Sequence, residues 1–179
     1  MSYQIVRPKI EEQSEINALI IKVLNDNWKR NQLDDLVDDL KEEIQTKLGF
    51  VKADLENLEG ARHFIIAKEG KRIVGIAEHG PANDTIKSCN SESLNALQEV
   101  GTVFVLPEYQ GKGVGKALMK AMQLRLRSIG ETHFCIDSGY KTAQGVWIHL
   151  YGDPTFLLKD HWGPGIDHMV WRVKIDETI

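Results

Sequence analysis

The sequence predicts a single mixed α/β domain whose elements run in the order β-α-α-β-β-β-α-β-α-β-β. Three observations carry this. The chain has 179 residues, 42% apolar and 27% charged, which suits one globular domain able to bury most of the surface of its unfolded form. Its apolar residues switch between a helical period and the crowded or alternating patterns of strands. A glycine-rich turn, "PEYQGKGVGKALMK" over 107–120, joins an apolar strand-like run to an amphipathic helix.

"YQIVRP" (3–8) reads as a short strand stopped by Pro8. In "IEEQSEINALIIKVLNDNWKR", Ile16, Leu19, Ile20, Val23 and Leu24 share one helical face. A second helix has Leu33, Leu36, Val37, Leu40 and Ile44 in register, with Gly49 after its end. Its acidic face, "DDLVDDLKEE", reads as solvated rather than as a cation or basic-partner site. "RHFIIAK" and "RIVGIAEHG" read as a hairpin about the three-residue turn Glu69-Gly70-Lys71, and 81–95 as a polar loop. "LQEVGTVFVLP" is a strand covered on both faces. The helix 113–129 is predicted to turn Val114, Ala117, Leu118, Ala121, Met122 and Ile129 inward, and Lys116, Lys120, Gln123 and Arg127 outward. "ETHFCID" is a strand, "YKTAQGVWIHLY" a helix, and "PTFLLKD" and "DHMVWRVKI" a closing pair of strands around "HWGPG". Neither repeat nor linker interrupts the span 1–179, which is expected to form one domain.

The net charge of -4 argues against a general nucleic-acid binder. No apolar run approaches about 18 residues and the first residues lack a signal-peptide core, so a cytoplasmic protein with no membrane partner is expected. Cys89 and Cys135 fit no CxxC or zinc spacing and read as buried or neutral thiols; no metal is expected.

A strand that ends in a glycine turn opening a helix is a phosphate-binding arrangement, because the unpaired N–H groups of the first turn converge on an anion. The dinucleotide fingerprint fails at Lys116, where its third glycine would fall. The nucleotide P-loop has its Gly115-Lys116 but lacks glycine at Gln110 and a hydroxyl at Ala117, leaving a P-loop-like nucleotide binder as a weaker idea. Gln110-x-x-Gly113-x-Gly115, preceded by Val105, Pro107, Glu108 and Tyr109 and followed by "KALM", resembles the acyl-CoA signature of the GNAT superfamily of N-acetyltransferases. The element order resembles that fold along nearly the whole chain.

The resemblance implies a GNAT fold: one domain, a mixed central sheet of about seven strands, helices on both faces, and a splay between the fourth and fifth strands. It implies acetyl-CoA as co-substrate, with the backbone of Gln110, Gly111, Lys112, Gly113, Val114, Gly115 and Lys116 on the pyrophosphate. Phe104 and Val105 would pair with the pantetheine arm. The chemistry implied is direct attack of a primary amine of a small molecule or peptide on the thioester, with no covalent enzyme intermediate. For the base Glu99 is favoured, with Glu78 and His79 or a water chain as alternatives. For the acid, the family pattern places a tyrosine where this chain has Trp147; Ala143 fits the pattern and Tyr140 replaces its asparagine. Tyr151, one turn beyond, either supplies the hydroxyl or packs. Trp28, Trp162, His149 and His161 are placed to line the acceptor site, and the acidic helix suits a cationic amine. Family habit suggests a homodimer. The competing reading is a non-catalytic acyl-CoA-binding or regulatory module.

Overall fold

The computed structural model describes residues 3–33 and 35–176. The ends of the span 1–179, at 1, 2 and 177–179, lie outside the described residues, as does Asp34 of the acidic run. The elements are β1 (Gln4–Val6), α1 (Gln13–Arg30), α2 (Val37–Leu55), β2 (His63–Glu69), β3 (Arg72–Pro81), α3 (Asp84–Lys87), α4 (Glu92–Asn95), β4 (Gln98–Val105), α5 (Val114–Ser128), β5 (His133–Ser138), α6 (Lys141–Tyr151), β6 (Phe156–Leu158) and β7 (His168–Lys174). Seven strands form one sheet in the order β1-β2-β3-β4-β5-β7-β6, and its only parallel pair, among the described residues, is β4 with β5. That pair needs a crossover, which α5 supplies.

The helices cover both faces. Ile16, Ile20 and Leu24 of α1 and Val51 of α2 pack on Phe64, Ile66, Ile76 and Phe104. On the other face, Leu118, Met122 and Leu126 of α5 and Trp147 of α6 pack on Val74, Val100, Phe134 and Trp171. β4 is thus buried from both sides, as its apolar crowding predicts.

Several local expectations are corrected. α2 starts at Val37, four residues later than Leu33, and runs through Gly49 to Leu55, because Val51 and Leu55 continue the buried stripe. A helical glycine costs only about 1 kcal/mol, which such packing outweighs. The β2–β3 turn has two residues, since Glu69 pairs with Arg72. The polar loop 81–95 holds α3 and α4, which bury Ile86 and Leu94. In α5, Ile129 lies past the last helical residue and is 45% exposed, whereas Gln123 is 8% exposed and accepts from the Asp176 amide. Met119 and Leu126 join Gln123 in completing the buried face.

The register between β3 and β4 slips between Ile76, opposite Phe104, and Glu78, opposite Gly101. Thr102 takes the slack with a φ of 49°, a left-handed conformation that a β-branched residue rarely adopts. The bulge reverses side-chain parity: Glu99 and Gly101 point to the α1–α2 face before it, and Val103 and Val105 pack on the α5 face after it.

Leu118 is fully buried between α5 and the sheet, so Leu118→Ala is expected to cost about 2–5 kcal/mol of unfolding free energy in a urea titration.

Candidate active site

β4 and β5 touch in register at one pair, Glu99 with Cys135, and then part. The gap opens into a cleft of about 710 Å³ lined by Val100–Phe104 on one side and Ile136–Tyr140 on the other. α1 and α2 close it with Trp28 and Glu43, and the segment between β6 and β7 with His161 and Trp162.

Glu99 lines the cleft yet is 2% exposed. Its Oε2 accepts from Arg62 Nη2 at 2.9 Å and the Asn83 amide at 2.8 Å; its Oε1 accepts from Asn83 Nδ2 at 3.1 Å. Arg62 also donates to Glu78 Oε2 at 3.0 Å and stacks on the Phe50 ring, while Thr102 Oγ1 donates to Glu78 Oε1 at 3.1 Å. Burial, then the charge of Asp137, pushes the Glu99 carboxyl up to about 7 against the pull of Arg62. Gly101 is required between the two carboxylates: a Cβ there would stand 2.5 Å from Glu78 Oε1 and 3.1 Å from Glu99 Oε1.

Asp137, on β5 across the gap, is the second carboxylate of the cleft. Its Oδ2 accepts from Asn83 Nδ2 at 2.8 Å and from His168 Nε2 at 3.0 Å. Burial acts to raise its titration, but these bonds outweigh burial and hold the carboxyl below its ordinary value. The indole N–H of Trp162 can only donate, so His168 Nδ1, 2.9 Å away, is an acceptor and the ring carries its proton on Nε2.

At the end of β4, a short 3₁₀ turn at Pro107–Tyr109 leads into the glycine turn. Gly111 and Gly113 have φ of 71° and 87°, conformations that only glycine adopts without strain. Gly113 caps α5 through its carbonyl, which accepts from the Ala117 amide at 3.0 Å, so the amides of Val114, Gly115 and Lys116 precede the first helical bond. Lys112 and Lys116 are exposed beside them. The Gln110 side chain accepts from Arg30 and donates to the Val105 carbonyl at 3.1 Å, tying the turn to the strand. This turn lies outside the residues that line the cleft; Phe104 lines it, and Val105 packs beneath.

The remaining expected residues separate. Glu78 is fully buried behind Arg62, and His79 is buried on the next position of β3, bonded to Gln98. Trp28, His161 and Trp162 line the cleft, whereas His149 is exposed on α6. Tyr151 is outside the cleft lining: it packs between Phe134 and Trp147, and burial raises its phenol to about 12. Tyr140 caps α6, donates to Glu43 and accepts from Trp28 Nε1 at 2.8 Å; burial and the Glu43 charge raise it strongly. Asp39, Glu42 and Glu43 of the acidic run line the cleft rather than forming only a solvated face. Arg62, Asn83, Asp137 and His168 carry no local motif and are site residues that sequence reasoning missed; only their strand-end positions hinted at them. Both cysteines titrate above their ordinary value, Cys135 at about 12, through burial first.

A parallel pair that opens beside a glycine turn at a helix start is the frame of an N-acetyltransferase fold. Residues 60–152 match the family model described as an acetyltransferase (GNAT) domain, and the chain belongs to that family. Among solved structures, it is similar to a protein from Desulfovibrio desulfuricans assigned to the GNAT acetyltransferases, with a TM-score of 0.73 and 16% identity over 98% of this chain and 100% of that one. The PaiA N-acetyltransferase of Thermoplasma acidophilum, solved in complex with coenzyme A, gives 0.66 and 16% over 97% and 100%. YncA of Salmonella typhimurium, solved with its cofactor acetyl-CoA, gives 0.68 and 16% over 99% and 96%. At such identities the likeness shows the shared fold. The search of curated proteins finds no match.

Because the Glu99 titration is raised from 4.5 to about 7, its contribution to stability is complete below pH 4.5 and is lost as pH rises through 7. Asp137, titrating low, contributes in the opposite sense as pH falls below its ordinary range. In urea melts between pH 5 and pH 8, Glu99→Gln is expected to flatten the downward slope of the wild type; an unchanged slope would remove Glu99 as its source.

Proposed function

We propose that the chain is an acetyl-CoA-dependent N-acetyltransferase that moves an acetyl group to a primary amine of a small molecule or peptide by direct attack. The observation that carries this reading is Glu99, a buried carboxylate titrating near neutrality at the point where β4 and β5 part. Family membership supports acetyl transfer, and two structural neighbours solved with coenzyme A or acetyl-CoA support the co-substrate.

In this reading the amides of Gln110 to Lys116 take the pyrophosphate, helped by Lys112 and Lys116, and the open edge at Phe104 and Val105 pairs with the pantetheine arm. The amine nitrogen attacks the thioester carbon, a C–N bond forms and the C–S bond breaks. Glu99 takes the proton that the amine loses, and the departing thiolate takes one from solvent, giving an amide and free CoA thiol. A base titrating near the working pH combines availability with driving force. Asp39, Glu42 and Glu43 beside Trp28 and Trp162 support a cationic acceptor. A homodimer rests on family habit.

Trp147 at the family's tyrosine position, with Tyr151 in the core, favours the second reading, a non-catalytic acyl-CoA-binding module. Thiol release from acetyl-CoA across a panel of primary amines separates the two: amine-dependent release is expected, and tight cofactor binding without release on any amine would leave the module. With an active amine in hand, Glu99→Gln is expected to lower kcat by about 10²- to 10⁴-fold with acetyl-CoA affinity retained. Gly113→Asp puts a carboxylate and a strained φ at the turn and is expected to weaken acetyl-CoA binding in calorimetry by at least about tenfold. Unchanged affinity would move the cofactor site elsewhere.

A further inference from the structure

Glu99 is held from a part of the molecule that the proposed reaction does not use. Asn83 stands between β3 and α3 in an extended conformation, and its Oδ1 accepts from the Ile86 amide at 2.9 Å, which locks the side chain as the cap of α3. From that fixed position its main-chain N–H reaches Glu99 Oε2, while its Nδ2 reaches both Glu99 Oε1 and Asp137 Oδ2. One amide group therefore bridges two carboxylates carried by the two strands that part at the cleft. Asp137 is anchored in turn by His168, and His168 by the indole of Trp162 at the cleft mouth.

The division of labour within the Glu99 carboxyl follows. Oε2 takes the Arg62 guanidinium and the Asn83 main chain, whereas Oε1 takes one donor among the described residues, the Asn83 side chain. A carboxylate oxygen has room for more than one donor. Oε1 is thus the oxygen with capacity left for a donor in the cleft.

We propose that Asn83 and Asp137 are positioning residues that act through Glu99: they aim its Oε1 at the cleft and set the pH at which it takes up a proton. The proposal rests on the reading of Glu99 as base. The charged and titratable groups that face Glu99 are Arg62 ahead of β2, Glu78 on β3, Asp137 and Cys135 on β5, and Lys47 on α2. Two of these are carboxylates joined to Glu99 through a shared donor, Glu78 through Arg62 and Asp137 through the Asn83 amide, and Asp137 is the one carried by the strand across the gap. Removing its charge favours the ionised form of Glu99; adding a charge at position 83 disfavours it.

Two variants should therefore move the acid limb of the kcat/KM profile in opposite directions. Asp137→Asn, which keeps an oxygen for His168, is expected to shift it down by about one pH unit. Asn83→Asp, which keeps the cap of α3 and the main-chain donor, is expected to shift it up. Asn83→Ser, which keeps the cap but loses the bridge, is expected to lower kcat by about 10- to 100-fold with KM for acetyl-CoA unchanged. A merely structural role would lower the melting temperature of all three and leave the limb where it is. The Glu99 titration is also read directly from carboxyl ¹³C shifts in wild type and Asp137→Asn, which requires no turnover and no second variant. A Glu99 titration that stays put in Asp137→Asn overturns the proposal. Absence of transfer on any amine, with the titration moving as expected, sinks the base reading and leaves the electrostatic coupling established.

Discussion

After Glu99 and Cys135, β4 and β5 no longer pair, and the backbone of 101–105 on that side is left for something other than a strand. Much of the architecture serves that opening. The two strands are parallel, which obliges the chain to cross over, and the crossover is the helix that begins with the glycine turn. The turn consequently falls at the carboxyl end of β4, where open α/β sheets expose ligand sites. The bulge at Thr102 changes which side chains face which layer just where the strands diverge, so the strand carries carboxylate and glycine toward the cleft first and apolar residues toward α5 afterwards.

A price in stability attends the polar floor of the cleft. Arg62, Glu78 and Glu99 are each nearly inaccessible, and burying such charges is repaid only when every one has partners. Here Arg62 serves both carboxylates and a ring, Thr102 serves Glu78, and Asn83 serves Glu99 and Asp137. Thr102 is also the strained residue of the bulge, so strain and polar network share one position. Strain of this kind persists where the surroundings over-determine it, as they do at a functional site.

The parts legible in sequence were those fixed by neighbours along the chain. The stripe of Ile16, Leu19, Ile20, Val23 and Leu24 is local and is buried as read, and the glycine turn, local too, opens α5 where its spacing puts a helix start. Helix ends were less legible, because Gly49 is a stop signal only when packing does not continue beyond it, and Val51 and Leu55 do continue it. In α5, Gln123 and Ile129 exchanged roles because the last turn ends before Ile129 and polar Gln123 finds the Asp176 amide. The Arg62–Glu99–Asn83–Asp137–His168 chain was illegible for a plainer reason. Its members are separated by up to 106 positions between Arg62 and His168, and only the sheet register brings them together.

The two tyrosines of α6 sharpen what the cleft can do. Tyr140 lines it, but its hydroxyl donates to Glu43 and accepts from Trp28, so it braces α1 and α2 against the start of α6. Tyr151 has its ring between Phe134 and Trp147, in the layer beneath the sheet. Other polar groups of the cleft come from β4, β5, α2, Arg62 ahead of β2, the cap of α3, the segment before β7 and His168 at its start. In the function proposed above, that arrangement puts proton-handling capacity at Glu99, on the side of the attacking amine, and leaves the departing thiolate to solvent. On the proposed reading the asymmetry is chemically tolerable: a thiol titrates at about 8.5, so a departing thiolate is already a weak base that water can protonate, whereas an ammonium at about 10.4 must lose its proton before it can attack.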